Sequence, residues 1–129
     1  MTVNLNMNVL IVDDYKTMLR VIRNLLAQIG FKNVEEATDG GMALEMMKSK
    51  KFDLVISDWN MEPMTGLDLL KSVRAGDDRH NKVPFIMVTA EGKAENVVAA
   101  RQAGVSNYII KPFSAETLKG KLVTVLGDF

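Results

Sequence analysis

The strongest constraint on this chain is an alternation along its whole length: short, uninterrupted apolar runs, each followed by a longer segment of helical period. Val9-Leu10-Ile11-Val12 is the clearest run. A strand with one wet face alternates polar and apolar residues, so four apolar residues in a row describe a strand buried on both faces of a parallel sheet. Beyond Asp13-Asp14, the residues Met18, Val21, Ile22, Leu25, Leu26 and Ile29 recur at the three-and-four spacing of an amphipathic helix. Asp14 is the expected N-cap of that helix, and Gly30 the glycine that closes it.

The cycle then repeats. Residues Val34–Ala37 read as a second, more polar strand and Met42–Lys48 as a short helix. Leu54–Ser57 is a third strand ending at Asp58, followed by a helix over Leu67–Ala75 with Gly66 before it. Pro84–Val88 is a fourth strand ending at Thr89, followed by an alanine-rich helix over Lys93–Ala103 closed by Gly104. Tyr108–Ile110 is a fifth, ending at Lys111-Pro112; Leu118, Leu122, Val125 and Leu126 then line a last helix with Gly120 in its interior. Five strand–helix cycles with short connections predict an α/β fold, a doubly wound, five-stranded parallel sheet covered by helices on both faces. No linker, low-complexity tract or fixed-period repeat interrupts the 129 residues, so residues 1–129 are expected to form one domain.

Composition limits the chemistry. Sixteen Lys and Arg balance sixteen Asp and Glu, so bulk charge gives no support for binding nucleic acid or an anionic membrane. Met1-Thr2-Val3-Asn4-Leu5-Asn6 has neither the basic nor the apolar segment of a secretory signal, and no apolar run approaches the roughly 20 residues of a membrane span. A cytoplasmic location is expected. With no cysteine there are no disulfides, thiolate metal sites or thiol nucleophiles. His80 is the only histidine, inside the charged stretch Asp77-Asp78-Arg79-His80-Asn81, which excludes a multi-histidine metal site. Carboxylate, hydroxyl and lysine chemistry remain.

Ligands of open α/β sheets bind beyond the carboxyl ends of the strands. Those ends supply Asp13 and Asp14, Asp58, Thr89 and Lys111. Each alone has a plain structural reading as cap, turn former or solvated charge; their convergence on one sheet edge carries the functional reading. Clustered carboxylates repel unless a cation sits among them, and hard oxygen ligands suit Mg²⁺. A carboxylate beside that ion is a candidate nucleophile toward phosphorus, with Lys111 and Thr89 placed to hold phosphoryl oxygens.

These residues carry a resemblance. Val9-Leu10-Ile11-Val12-Asp13-Asp14, Ile56-Ser57-Asp58-Trp59-Asn60-Met61, Met87-Val88-Thr89-Ala90-Glu91 and Tyr108 through Lys111-Pro112-Phe113 resemble the receiver domain of bacterial response regulators. The likeness covers essentially the whole chain and is strongest to the stand-alone receivers of chemotaxis. It implies a (βα)5 flavodoxin-like fold in which Asp58 accepts a phosphoryl group from a histidine kinase. Asp13, Asp14 and Asp58, with the backbone carbonyl of Asn60, would ligate Mg²⁺. Lys111, before a cis proline bond, would pair with the phosphoryl group. Thr89 would move to it, and Tyr108 would swing into the space vacated. Asn60 and Glu91 would tune hydrolysis, while Lys93, Tyr108 and Lys121 would lie on a face that binds a partner such as the flagellar motor switch. A phosphatase is a further partner class.

One departure stands out. The family places proline directly after the methionine that follows its nucleophile, whereas here Glu62 intervenes in Met61-Glu62-Pro63. The loop is expected to take a different path, and Glu62 either modulates the site, through a metal-bound water or a partner, or is a solvated charge. Tyr15-Lys16 either gates Asp58 or starts the first helix. Among the methionines, Met18, Met46 and Met87 fit core positions, and Met42, Met61 and Met64 lie nearer the active edge. Two other roles are compatible with these residues: a phosphate sink or relay intermediate, and a Mg²⁺-dependent phosphatase with an Asp58 nucleophile. The phosphatase reading usually needs an acid where Asn60 stands. A dinucleotide or flavin site would need a glycine-rich turn where Asp13-Asp14-Tyr15-Lys16 is acidic.

Overall fold

A computed structural model describes residues 4–90 and 93–127. Strands β1 (Asn8–Val12), β2 (Asn33–Ala37), β3 (Leu54–Asp58), β4 (Phe85–Thr89) and β5 (Asn107–Ile110) alternate with helices α1 (Lys16–Ile29), α2 (Gly40–Ser49), α3 (Gly66–Arg74), α4 (Ala94–Gln102) and α5 (Ala115–Leu126). All neighbouring strands pair parallel, in the order β2-β1-β3-β4-β5. The expected doubly wound sheet is therefore observed. Its order reverses between β1 and β3, the crevice where such sheets take ligands.

Alternation along the strands sorts the core into two layers. Val9, Ile11, Leu54, Ile56, Ile86, Val88 and Ile109 meet Leu19, Ile22 and Leu26 of α1 and Leu118 and Leu122 of α5. Leu10, Val12, Val55, Phe85 and Met87 meet Ala43 and Met47 of α2 and Leu69, Leu70 and Val73 of α3. Helix α4 lies on this second face, where Val97 and Ala100 approach Met87 and Tyr108. β1, β3 and β4 are continuous apolar runs because both layers press on them. β2 is the polar edge: Glu36 pairs with Arg23 at 2.5 Å and Glu35 with Lys50. No helix among the described residues is long and apolar enough to cross a membrane.

Several local expectations change. Asp14 does not cap α1: the N-cap is Tyr15, without a side-chain bond, and Asp13 Oδ1 instead accepts the Tyr15 N–H at 3.0 Å. Tyr15 is 63% exposed and the helix itself starts at Lys16. Helix α2 starts two residues early because Asp39 Oδ1 accepts from Met42 N at 2.7 Å. That register buries Met47 and leaves Met46 half-buried; Met18 is likewise half-buried, Val21 is exposed, and Met61 joins Met87 in the core. His80, within its charged loop, is buried. It is 6% exposed, and its Nε2 accepts the Phe52 N–H at 2.9 Å.

Candidate functional site

The site grows out of the sheet's own ladder, which continues past the strand ends. Asp13 N–H donates to Ala37 O at 3.1 Å, Trp59 N–H to Val88 O at 2.8 Å, and Lys111 N–H to Thr89 O at 2.8 Å. Each side chain at the edge therefore leaves from a fixed backbone. Alternation then decides the side: Asp13 continues Val9 and Ile11, Asp58 continues Leu54 and Ile56, and Lys111 follows Ile109, all on the α1/α5 side. Thr89 continues Phe85 and Met87 on the opposite side.

The first three meet. Lys111 Nζ lies 2.9 Å from Asp58 Oδ1 and 3.8 Å from Asp13 Oδ2. Carboxylate oxygens of Asp13, Asp14 and Asp58 all lie within 4.8 Å of one another. Asp13 and Asp58 are buried and Asp14 is exposed. Three carboxylates against one ammonium leave the pocket short of positive charge. Burial, chiefly, pushes the Asp13 carboxyl up to about 6; the Tyr15 N–H opposes this, and the neighbouring Asp58 charge reinforces it.

The donor set fits a hard divalent cation. Among the described residues, Asp13 Oδ2 and Asp58 Oδ1 are buried and make no hydrogen bond of good geometry, with the Lys111 ammonium as the one positive charge beside them. Mg²⁺ suits such oxygens, with waters completing an octahedron. Asp14 also opens onto a cleft of about 890 Å³ that Asn60, Met61, Glu62, Pro63 and Thr65 line, so solvent and substrate reach the carboxylates from there. Asn60 and Glu62 are exposed on its wall.

The β3–α3 loop that forms this wall is held at its far end. Thr65 Oγ1 accepts from Asp68 N at 3.1 Å while Asp68 Oδ2 accepts from Thr65 N at 3.2 Å, a reciprocal cap on α3. Gly66 N–H donates to Trp59 O at 2.9 Å, and a Cβ on Gly66 would lie 2.2 Å from the Asp58 carbonyl oxygen. Only glycine lets the helix start this close to the Asp58 backbone. The peptide bonds Glu62–Pro63 and Lys111–Pro112 are both cis, the second as the family resemblance implied.

The remaining candidates form a second group. Thr89 is buried and shares a void of about 10 Å³ with Trp59, Met87, Asn96 and Tyr108. Lys121 Nζ stands 5.4 Å over the half-buried Tyr108 ring. Lys93 is exposed at the N-cap of α4. Glu91 lies outside the described residues. The structural need for Gly66 was legible only as a glycine preceding a helix. The burial of His80 left no periodic trace.

Comparison with known proteins agrees with this geometry. The model of the response regulator receiver domain matches residues 9–123. Chemotaxis protein CheY-3 of Vibrio cholerae is 54% identical over 119 residues, covering 92% of this chain and 91% of that protein. Chemotaxis protein CheY of Pseudomonas aeruginosa is 53% identical over 116 residues, covering 90% and 93%. Among solved structures, CheY4 of Vibrio cholerae superposes with a TM-score of 0.87 at 35% identity, covering 94% of this chain and 99% of that one. The receiver domain of a Pseudomonas aeruginosa sensor histidine kinase superposes with a TM-score of 0.84 at 25% identity, covering 95% and 99%, and holds a magnesium ion in its active-site cleft. The sequence match, the sheet order and the acidic edge together place this chain in the response regulator receiver domain family.

Proposed function

We propose that this protein is a phosphorylation-switched chemotaxis regulator of a two-component system, working in the cytoplasm, with Asp58 as phosphoacceptor. The observation that carries the reading is the buried Asp58 carboxylate 2.9 Å from Lys111, within a cluster of two further aspartates. Its relatives named for chemotaxis support the cellular role.

Asp13, Asp14 and Asp58, with the Asn60 carbonyl, would hold Mg²⁺. The bound ion supplies charge neutralisation that lets two anions, carboxylate and phosphoryl, approach. An Asp58 oxygen forms the new O–P bond as the P–N bond to a kinase phosphohistidine breaks, and the imidazole leaves with the electron pair and takes a solvent proton. Lys111 shifts from carboxylate to phosphoryl oxygen, keeping its charge in the pocket. Thr89 donates its hydroxyl to the new anion from the opposite side of the sheet, and the Tyr108 ring moves into the space this leaves beside Met87. The switch thereby reaches the face bearing Tyr108, Lys121 and Lys93, where a motor-switch protein would dock. Asn60 and Glu91 would set the access of the hydrolytic water, and Glu62 would modulate the site through a metal-bound water or a partner. The protein promotes only its own phosphorylation and dephosphorylation, with no second substrate turned over.

The test is direct. With Mg²⁺ and a small phosphodonor, intact mass should rise by one phosphoryl group, and Asp58→Asn should abolish the gain. A motor-switch peptide should bind more tightly when beryllofluoride occupies the site. A mass gain without tighter peptide binding would reassign the protein as a phosphate sink or relay. No Asp58-dependent gain would refute the phosphoacceptor reading itself.

A further inference from the structure

We propose that Glu62 selects the phosphodonor by charge, favouring donors whose leaving group is a protonated nitrogen over acyl phosphates, whose leaving group departs as an anion. This rests on Asp58 being the phosphoacceptor and assigns to Glu62 a specificity that the aspartate cluster alone does not supply.

The neighbours of Glu62 fix where it stands. Met61 before it is 3% exposed and packs in the core layer beneath α2 and α3. Pro63 after it locks its own φ and narrows the backbone range of Glu62. Beyond them the loop is held by the Thr65–Asp68 cap and the Gly66-to-Trp59 hydrogen bond. A short, anchored segment thus carries Glu62 on the cleft wall, where its side chain is exposed. It makes no ion pair or hydrogen bond among the described residues, so no protein cation neutralises it.

The cleft is anionic. Asp14 and Glu62 are the charged residues that line it, and no lysine or arginine does so among the described residues. Lys111 is engaged with Asp58 and Asp13 and is not part of the lining. In-line displacement puts the leaving group opposite the attacking oxygen. Asp58 is buried and is reached from this cleft, so the departing group points outward, past Glu62.

The charge on that group differs between donors. With phosphoramidate the Asp58 oxygen forms the O–P bond as the P–N bond breaks. The nitrogen, already protonated in the zwitterion, takes the electron pair and departs as neutral ammonia. With acetyl phosphate a P–O bond breaks, and the pair leaves on acetate as a full negative charge. Acetyl phosphate also enters as a dianion, whereas phosphoramidate carries a single net negative charge. Both differences make Glu62 oppose the acyl donor more strongly. A phosphohistidine, with its basic imidazole, falls in the favoured class.

Phosphorylation of the whole protein by each donor, with Mg²⁺ at low ionic strength, tests this through the rate of Asp58-dependent mass gain. Glu62→Gln should lower the ratio of the phosphoramidate rate to the acetyl phosphate rate roughly two- to fivefold, the worth of one exposed charge interaction. Glu62→Asp should keep the native ratio, and salt at about 1 M should shrink the contrast between native protein and Glu62→Gln. Calorimetry without any donor gives an independent readout, in which Glu62→Gln should weaken Mg²⁺ binding by a similar factor. A ratio unchanged in Glu62→Gln, whether or not both rates move together, would overturn the role of Glu62 while leaving Asp58 as acceptor. So would a contrast insensitive to salt, or an unchanged Mg²⁺ affinity. No Asp58-dependent gain with either donor would instead overturn both readings.

Discussion

Two glycine-to-alanine substitutions should change stability in opposite directions. At Gly66 a Cβ would lie 2.2 Å from the Asp58 carbonyl oxygen and 2.7 Å from Met87 Sδ. Carbon and oxygen rest no closer than about 3.3 Å, so the start of α3 must retreat from β3 by about 1 Å. Overpacking of this kind costs about 1–3 kcal/mol. Stretching the Gly66-to-Trp59 hydrogen bond adds about 1 kcal/mol, and alanine's better helix propensity returns at most about 1 kcal/mol. Gly66→Ala should therefore lose about 1–3 kcal/mol. At Gly120, inside α5, a Cβ meets nothing within 4 Å. Gly120→Ala should gain about 0.5–1 kcal/mol from propensity and a stiffer unfolded chain. Urea unfolding, followed by helical circular dichroism and by the fluorescence of Trp59, measures both. Gly66→Ala should also weaken Mg²⁺ binding, because the displaced backbone carries Asp58. Changes of the same sign at the two sites, or a Gly66→Ala loss under about 0.5 kcal/mol, would refute the close-approach argument.

Other perturbations probe the charges. Because burial lowers the His80 pKa, the unfolded chain takes up a proton that the folded one refuses as pH falls below about 6.5. Stability should therefore decline from about pH 7 to 5 more steeply in the native protein than in His80→Gln, and equal slopes would remove that role. Asp13 behaves oppositely: with its carboxyl pushed up to about 6, the metal-free fold is penalised progressively as pH rises from about 4, where the unfolded carboxyl ionises, and in full above about 6. Asp13→Asn should stabilise the metal-free protein at neutral pH by roughly 1–3 kcal/mol while abolishing stabilisation by Mg²⁺, both visible as shifts in melting temperature. Arg74 donates to Val83 O at 2.7 Å and to Gly104 O at 2.9 Å. Arg74→Met should cost about 2–4 kcal/mol in urea unfolding, and a loss under about 1 kcal/mol would show that solvent replaces those bonds.

The sheet was legible because burial on both faces writes itself into β1, β3 and β4 as unbroken apolar runs. The acidic edge was legible because a parallel sheet delivers its strand ends to one side, so the residues after each run could be collected without coordinates. What escaped depends on partners distant in sequence. Asp14 looked like the natural cap, yet Asp13 takes the Tyr15 N–H and leaves Asp14 free for the cluster. Met46 and Met47 are equally apolar, and the Asp39 cap decides which faces inward. His80 sits among charges in the chain, while the backbone group that holds it is 28 residues away.

Arg74 gives the molecule a joint of a different kind from its acidic edge. The guanidinium fastens the end of α3 to the carbonyls of Asn81, Val83 and Gly104, tying together the segments that enter β4 and β5. No carboxylate among the described residues serves as its counter-ion. Carbonyl dipoles neither titrate nor attract the mobile ions that screen a salt bridge. The protein is thus clasped at one end by contacts indifferent to acidity and ionic strength, leaving the electrostatically strained end free to answer a change in charge while the other holds its shape.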